Sequence, residues 1–434
     1  MKEKKIYLCI AADVIHHGHI NLIKKAKEYG NVILGLLTDE AISAHKKVPY
    51  LNFYQRKKIV ENLKYISTIV PQAEWDYSFN ILKYKPDYFI HGDDWLFNKD
   101  KWMRENVIKA LKSYGGALVE VPYTKDVSSN ELKNDYLKRF SHYPDVRKSS
   151  LKRKFESGKF IRLIEATTPF SALLIERFFL AKRKNKISFD GFWSSSLCDS
   201  IMMGKPDNES LDLSRRFSNI NSIFDVVALP LMMDFDTGGN IEHFISNLKI
   251  AERIGISAIC IEDKTGLKKN SLLGNSVIQH QDTIKNFCLK IKKGRQNKQS
   301  DDFMIVARIE SLILGKGMKD ALNRAHAYCK AGADSILIHS KNKTSSEIIK
   351  FAKEFRKINK YVPLVAVPTT FNSIKEKNLQ KAGFNCVIYA NQITRAIYPA
   401  IENVLKTILR DGRSYKLNNS ISDVKKLLNF IPEM

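Results

Sequence analysis

The chain has 434 residues, more than one ordinary domain and enough for two or three. With 44% hydrophobic and 27% charged residues it has the balance of a globular protein, and no apolar run reaches the roughly 18 residues needed to cross a bilayer. An excess of 71 Lys and Arg over 46 Asp and Glu gives a net charge of +25, which suits nucleic acid, an acidic membrane or polyanionic substrates, or else a Lys-rich solvated surface.

The N-terminus runs from Met1-Lys2-Glu3-Lys4-Lys5 straight into a short apolar stretch, so no secretory leader is expected. Cys9, Cys198, Cys260, Cys288, Cys329 and Cys386 are scattered, without a CxxC or a Cys/His cluster. Neither structural zinc nor a disulfide framework is expected, and a reducing cytoplasm is the expected location.

The first 140 residues alternate strand-like and helix-like segments: strands at Ile6–Ala12, Asn31–Leu37, Tyr88–His91 and Ala117–Val121, helical periodicity over Gly18–Tyr29 and Tyr54–Tyr65. That alternation predicts a parallel α/β sheet. Just after the first strand comes Asp13-Val14-Ile15-His16-His17-Gly18-His19. Two histidines three apart at a helix start can aim both imidazoles at one point, where the helix N-terminus adds free N–H groups. Together they would stabilise charge developing on a triphosphate as pyrophosphate leaves; a histidine-rich turn is the plainer alternative. Farther along come Thr38-Asp39-Glu40, Lys46 and Lys47, Gln55-Arg56, and His91-Gly92-Asp93-Asp94-Trp95.

In that order these blocks resemble the cytidylyltransferases that charge choline phosphate, ethanolamine phosphate or glycerol 3-phosphate, over about residues 4–132. The resemblance implies a Rossmann-like fold in which His16 and His19 bind the CTP phosphates, Lys46 contacts phosphates, Arg56 helps at the acceptor phosphate or the nucleotide, and Asp94 lies near the cytidine. Asp13 would orient the acceptor or a Mg²⁺ ion. Two blocks depart from the family: its Gly-Thr-Phe-Asp reads Ala11-Ala12-Asp13, and its Arg-Thr-x-x-Ile-Ser-Thr survives only as Tyr123–Ser129, with Lys125 but no arginine. A lysine does not replace a bidentate guanidinium fork.

Residues 141–157 turn basic and polar and are expected to form a linker or a surface helix. From residue 158 the β/α alternation restarts. Eight apolar strand candidates follow: Ile161–Ala166, Phe189–Trp193, Val226–Met233, Ala258–Ile261, Met304–Ala307, Ser335–Ile338, Leu364–Val367 and Cys386–Tyr389. Helical segments include Ile241–Ile254, Gly317–Ala331 and Ser345–Asn359, and a short amphipathic element is expected from Lys425 to the end. Eight βα units predict a (β/α)8 barrel of the TIM type over residues 158–434, with chemistry just past the C-terminal ends of the strands. Polar residues cluster there: Glu165, Trp193-Ser194-Ser195, Asp234 and Asp236, Glu262-Asp263-Lys264, Arg308 and Glu310, His339 and Thr369.

The run Glu262–Ser271 places an acidic pair at a strand end with a Gly/Lys loop beyond it, fit for a lid over an anion, though an ordinary charged loop has the same composition. Glu262-Asp263-Lys264, five residues, then Asn270-Ser271 resembles phosphoenolpyruvate mutase of the isocitrate lyase superfamily, and blocks resembling that family recur in order over about residues 158–400. The resemblance implies Mg²⁺ held by Asp234 and Asp236 with Glu262 in support, backbone amides of Ser195, Ser196 and Leu197 on the substrate carboxylate, and Trp193 as a wall. Arg308 and His339 would grip the phosphoryl group, Lys268, Asn270 and Ser271 would belong to a gating loop, and Asp207 would lie on the phosphoryl path as nucleophile or orienting group.

Isocitrate and methylisocitrate lyases carry a cysteine in that loop, and none occurs between Cys260 and Cys288. Phosphonopyruvate hydrolase usually differs at the asparagine, so Asn270 favours a mutase. The family's Glu-Ala-His block reads Glu165-Ala166-Thr167 here, a departure that removes none of these ligands. Together the two halves resemble cytidylyltransferase–mutase fusions of fosfomycin and phosphonate biosynthesis. That implies conversion of phosphoenolpyruvate to phosphonopyruvate, CMP transfer from CTP to a small phosphonate such as 2-aminoethylphosphonate or 2-hydroxyethylphosphonate, Mg²⁺ as cofactor and a homodimer or homotetramer. A hydrolase-type barrel and a non-catalytic N-terminal domain are the alternatives. With no RRM, KH or helix-turn-helix signature, neither a nucleic-acid nor a membrane partner is expected.

Overall fold

A computed structural model describes residues 3–46, 48–96, 101–122, 141–182, 185–266 and 268–431. Lys47 and the block Tyr123–Ser129 with Lys125 therefore lie outside the described residues.

In the N-terminal part β1 (Lys5–Ile10) is followed by α1 (His17–Lys27), β2 (Asn31–Leu37), α2 (Asp39–His45), α3 (Phe53–Val60), β3 (Thr68–Gln72), α4 (Ser78–Tyr84), β4 (Tyr88–Gly92), α5 (Lys101–Lys112) and β5 (Ala117–Val121). The five strands make one parallel sheet in the order β3-β2-β1-β4-β5. Central β1 is buried beyond its first residue, as a strand covered by helices on both faces must be. Edge strand β3 carries Pro71, which has no N–H to donate to a further strand, and its mixed composition hid it in the sequence. Gly35 in β2 leaves the space that Tyr7 fills: a Cβ there would stand 2.1 Å from the Tyr7 hydroxyl, which donates to Gln72 at 2.8 Å. The chain order reverses between β1 and β4, so the loops after these two strands flank the crevice where open α/β sheets bind ligands.

The remainder closes into a parallel eight-stranded barrel: Ile161–Glu165, Gly191–Ser194, Leu231–Asp234, Ala258–Glu262, Met304–Ile309, Ser335–Ile338, Leu364–Ala366 and Cys386–Tyr389. Each expected strand is present, Ser335–Ile338 and Cys386–Tyr389 with the expected bounds and the others with an end shifted by one to five residues. The third begins at Leu231 rather than Val226, because Pro230 can accept from Phe192 but cannot donate.

Strand periodicity then decides what faces inward. Leu163, Met232, Cys260, Val306, Leu337 and Ile388 fill one interior cluster, while Ile164, Met233, Ile259 and Ile305 pack outward against the helices. Two residues beyond the interior positions, the same inward face carries Glu165, Asp234, Glu262, Arg308 and His339. The polar layer is the apolar core continued by one pleat.

The basic stretch expected as a linker contains a helix, Pro144–Glu156, built into the barrel. Its Leu151 and Phe155 join the interior cluster, Arg147 stacks on Phe224 at 3.6 Å, and the Arg147 carbonyl accepts from the Ser257 hydroxyl at 3.0 Å. Ser257 immediately precedes a barrel strand, so this helix stoppers the N-terminal end, away from the polar layer. Leu151→Ala is expected to cost about 2–5 kcal/mol in denaturant unfolding, because a fully buried side chain leaves a cavity; a cost below about 1 kcal/mol would contradict the stopper role.

Candidate active sites

At the C-terminal end of the barrel, Trp193, Ser195, Ser196, Leu197, Asp207, Asp234, Glu262, Lys268, Asn270, Ser271, Arg308 and His339 all line one pocket. The residues expected in the barrel site are thus brought together, with Asp236 beside them.

The pocket's central feature is a buried set of carboxylates held by cations. The Lys268 ammonium pairs with Asp236, lies 2.5 Å from Asp207 Oδ1 and donates to Ser196 Oγ at 2.6 Å. Asn270 Nδ2 donates to the other Asp207 oxygen at 2.6 Å, so both ends of that carboxylate are taken by the loop. Arg308 donates to Glu310 at 2.6 Å and to Ser271 Oγ at 2.7 Å, and stands 3.6 Å from Glu262 and 3.9 Å from Asp234. Lys264 lies 3.2 Å from Glu262 and donates to Ser271 Oγ at 3.0 Å.

These charges sort the acids. Burial alone would neutralise Asp234, yet Lys268, Arg308 and Arg216 outweigh it and hold that carboxyl below its usual range. Glu262 is pushed up to about 8 by burial, against the pull of Arg308 and Lys264. Glu310, equally buried, is held near 2 by Arg308 and Lys264. His339 is driven down to about 4 by burial and the Arg308 charge, and neither ring nitrogen has a partner among the described residues.

Sequence reasoning missed Arg216. It lies in an amphipathic helix, Leu213–Phe224, where an arginine ordinarily faces water. Here it is buried, donating to Asp199 at 2.9 Å, to the Asp234 carbonyl at 2.5 Å and to both Ser194 oxygens. It ties the strand end before Ser195 to the strand end that carries Asp234.

The donor set around Asp234 is all oxygen: Asp234 Oδ1 accepts the Asp236 amide, Oδ2 accepts Ser196 Oγ at 3.1 Å, and Asp236 is held in the left-handed region at φ 52°. No three such side chains converge as a closed cage among the described residues. Carboxylate oxygens such as those of Asp234 and Asp236 are the donor type that Mg²⁺, a hard cation, takes.

In the N-terminal sheet His16 opens α1 and its imidazole lies 3.9 Å, ring centre to ring centre, from that of His19. His19 Nδ1 accepts the His16 amide at 3.3 Å, which leaves Nε2 to carry the proton of the neutral ring. Burial, with His16 and Lys46 adding their charges, lowers His19 to about 4. Lys46, at the end of α2, also lies over the Trp75 ring at 4.9 Å. Asp94 is 3.7 Å from His91, whose ring stacks on Trp95 at 3.9 Å. Asp13 is buried and accepts the Leu51 amide at 2.8 Å.

Arg56 departs from its expected place at a phosphate. It is fully buried, bonded to Asp39 at 2.5 Å and to the carbonyls of Ala11 and Leu51, so it clasps the loops around the histidines. Three of its five N–H donors are taken by these partners, one on each nitrogen.

Comparison with known proteins bears on both parts of the chain. The family "Phosphoenolpyruvate phosphomutase" matches residues 151–409, more than half of the chain. The chain belongs to the phosphoenolpyruvate phosphomutase family. The family "Cytidylyltransferase-like" matches residues 11–135, so the protein is a two-domain fusion. It is 33% identical over 289 residues to phosphoenolpyruvate phosphomutase of Tetrahymena pyriformis, covering 66% of this chain and 92% of that protein. A crystal structure of phosphonopyruvate hydrolase in complex with oxalate and Mg²⁺ is similar with a TM-score of 0.58 and 32% identity, over 66% of this chain and 94% of the hydrolase. The first domain is 28% identical over 134 residues to glycerol-3-phosphate cytidylyltransferase of Bacillus subtilis, 30% of this chain and 96% of that protein.

In this fused phosphomutase-family protein, the neutral His19 has a consequence for stability. Its folded pKa lies below the ordinary 6.5, so the unfolded chain binds the proton first and stability falls as pH drops from about 7 towards 4. At pH 5 the loss is about 2 kcal/mol, from 2.303RT times the titration difference. His339, lowered in the same way, adds its own loss, so unfolding in denaturant at pH 7 and pH 5 should show a loss in ligand-free wild type that exceeds the loss in His19→Gln by about 2 kcal/mol.

Proposed function

We propose that the barrel interconverts phosphoenolpyruvate and 3-phosphonopyruvate and that the N-terminal domain transfers CMP from CTP to a small phosphonate. In the barrel reaction the enol O–P bond breaks and a C–P bond forms at the substrate's methylene carbon, with no net oxidation. Mg²⁺ held by Asp234 and Asp236, with Glu262 behind them, would supply positive charge beside the enolate and carboxylate oxygens. Amides at Ser195–Leu197 bind the carboxylate, and the Arg308 guanidinium with the neutral His339 ring holds the phosphoryl group as it turns from oxygen to carbon. Asp207 orients Lys268 and Asn270.

One observation carries the mutase reading over a hydrolase: Asn270 and Lys268 reach the same Asp207 carboxylate, closing the loop over the pocket. A phosphoryl group moving between two atoms of one substrate must be shielded from water. Because the equilibrium of such a mutase favours phosphoenolpyruvate, a decarboxylation of phosphonopyruvate must follow to draw the reaction forward. The later product of that sequence, a two-carbon phosphonate such as 2-aminoethylphosphonate or 2-hydroxyethylphosphonate, is the acceptor we assign to the first domain. There His16 and the Nε2–H of His19, with Lys46, stabilise the leaving pyrophosphate.

A homodimer or homotetramer accords with the long last barrel helix, Gln392–Asp411, which leaves Tyr398, Ile401, Leu405 and Leu409 exposed along one side. Six free thiols accord with a cytoplasmic location, and among the described residues no helix is long and apolar enough to cross a membrane.

Two variants test the assignment. Asn270→Ala is expected to slow the conversion of phosphonopyruvate by about 100-fold or more, because the loop loses one of its two bonds to Asp207 and is no longer held in register over the pocket. An unchanged rate would remove the loop from the mechanism. His16→Ala is expected to lower phosphonate-dependent pyrophosphate release from CTP by about 10²–10³-fold while leaving the barrel reaction intact. Retained release would make the first domain something other than an HxGH transferase.

A further inference from the structure

Asn391 stands in the wall of the barrel pocket, at the start of the last barrel helix, and has no structural task. It is 6% exposed, and its Oδ1 has no hydrogen-bond partner among the described residues. An asparagine at a helix N-cap ordinarily accepts an amide of the first turn. This one makes no cap bond. The amide it would serve, that of Thr394, is taken at 2.8 Å by Glu165 from the neighbouring strand. Asn391 is thereby released to face the pocket.

Its position says which end of a substrate it meets. The carbonyl of Ala390, one residue before it, accepts the Cys198 thiol at 3.2 Å. Cys198 is in the first turn of the helix capped by Ser195, whose amides form the proposed carboxylate cradle. Arg308 and His339 come from the fifth and sixth strands, whereas Asn391 follows the eighth, which pairs with the first. The unpartnered Oδ1 can only accept, so it does not itself meet an anion; the side chain's donor Nδ2, which makes no bond among the described residues, is what Asn391 offers a carboxylate in the pocket.

We infer that Asn391 is a substrate-binding residue whose side-chain amide donates a hydrogen bond to the carboxylate of the bound three-carbon anion, beside the amides of Ser195–Leu197. The inference deepens the reading of the barrel pocket and rests on it. Asn391 then helps select small 2-oxo or enol acids over phosphate esters that lack the carboxylate.

The test uses the full chain, with oxalate as a non-reacting dicarboxylate probe in the presence of Mg²⁺, measured by titration calorimetry. Wild type is expected to bind, and Asn391→Leu to bind about 10- to 100-fold more weakly, as for a lost bond to a charged group. The ligand-free Leu variant should melt no lower than wild type, because it replaces an unpartnered amide with an apolar side chain of similar size. Asn391→Asp, nearly isosteric, should bind more weakly than the Leu variant through repulsion. In turnover of phosphonopyruvate, KM should rise more than kcat falls. Equal oxalate affinity in wild type and both variants would overturn the inference while leaving the pocket assignment standing. A Leu variant that melts lower and binds normally would make Asn391 structural. Wild type that binds no oxalate would overturn the pocket reading itself.

Discussion

Asp234, Asp236, Glu262 and Glu310 are crowded and buried at or just past the ends of neighbouring barrel strands, with Asp207 facing them from a loop, and the site stands only if that crowding is resolved. Unpaired, so many carboxylates would not remain ionised away from water. The barrel answers with four cations of different kinds. Arg216 and Arg308 come from the scaffold, Lys264 from the base of the loop and Lys268 from the loop itself. Since one neutralising charge rides on the loop, loop position and the protonation of the acids are a single equilibrium. A divalent cation or a phosphoryl substrate entering the pocket must renegotiate the same contacts, which is how a binding event can be coupled to closure.

The two sites share a construction principle although their sheets differ. In each, a parallel strand buried on both faces ends in a loop that starts a helix, and the candidate residues sit at the start of that helix. His16 and His19 follow β1 in this way, and Ser195–Leu197 follow the second barrel strand. The helix N-termini then contribute amides to both sites. The relatives bear on both halves separately, which accords with two domains, and the helix between them is part of the second domain's core.

Much of this was legible beforehand, for a physical reason. The barrel strands are continuous apolar runs, and the residue two places beyond each interior position is fixed by pleat geometry. Asp234, Glu262, Arg308 and His339 could therefore be placed in one layer without coordinates. The HxGH motif was legible because its spacing matches a helix turn. What escaped was anything dependent on long-range packing. Arg56 was expected beside a ligand and Arg216 gave no signal at all, and only the fold shows that each is buried among backbone carbonyls and acids. Pro144–Glu156 looked like a linker because its composition is basic, yet two apolar residues a turn apart, Leu151 and Phe155, suffice to anchor it in the barrel. Asn391 gave no local signal, since its significance comes from Glu165 having taken over the helix cap.

The central claim is that the barrel moves a phosphoryl group between oxygen and carbon of one molecule instead of passing it to water. Phosphorus NMR of the full chain with Mg²⁺ and phosphonopyruvate tests it most directly. The account predicts that the phosphonate resonance is replaced by that of phosphoenolpyruvate, with no inorganic phosphate accumulating. Inorganic phosphate together with pyruvate, in place of phosphoenolpyruvate, would contradict it.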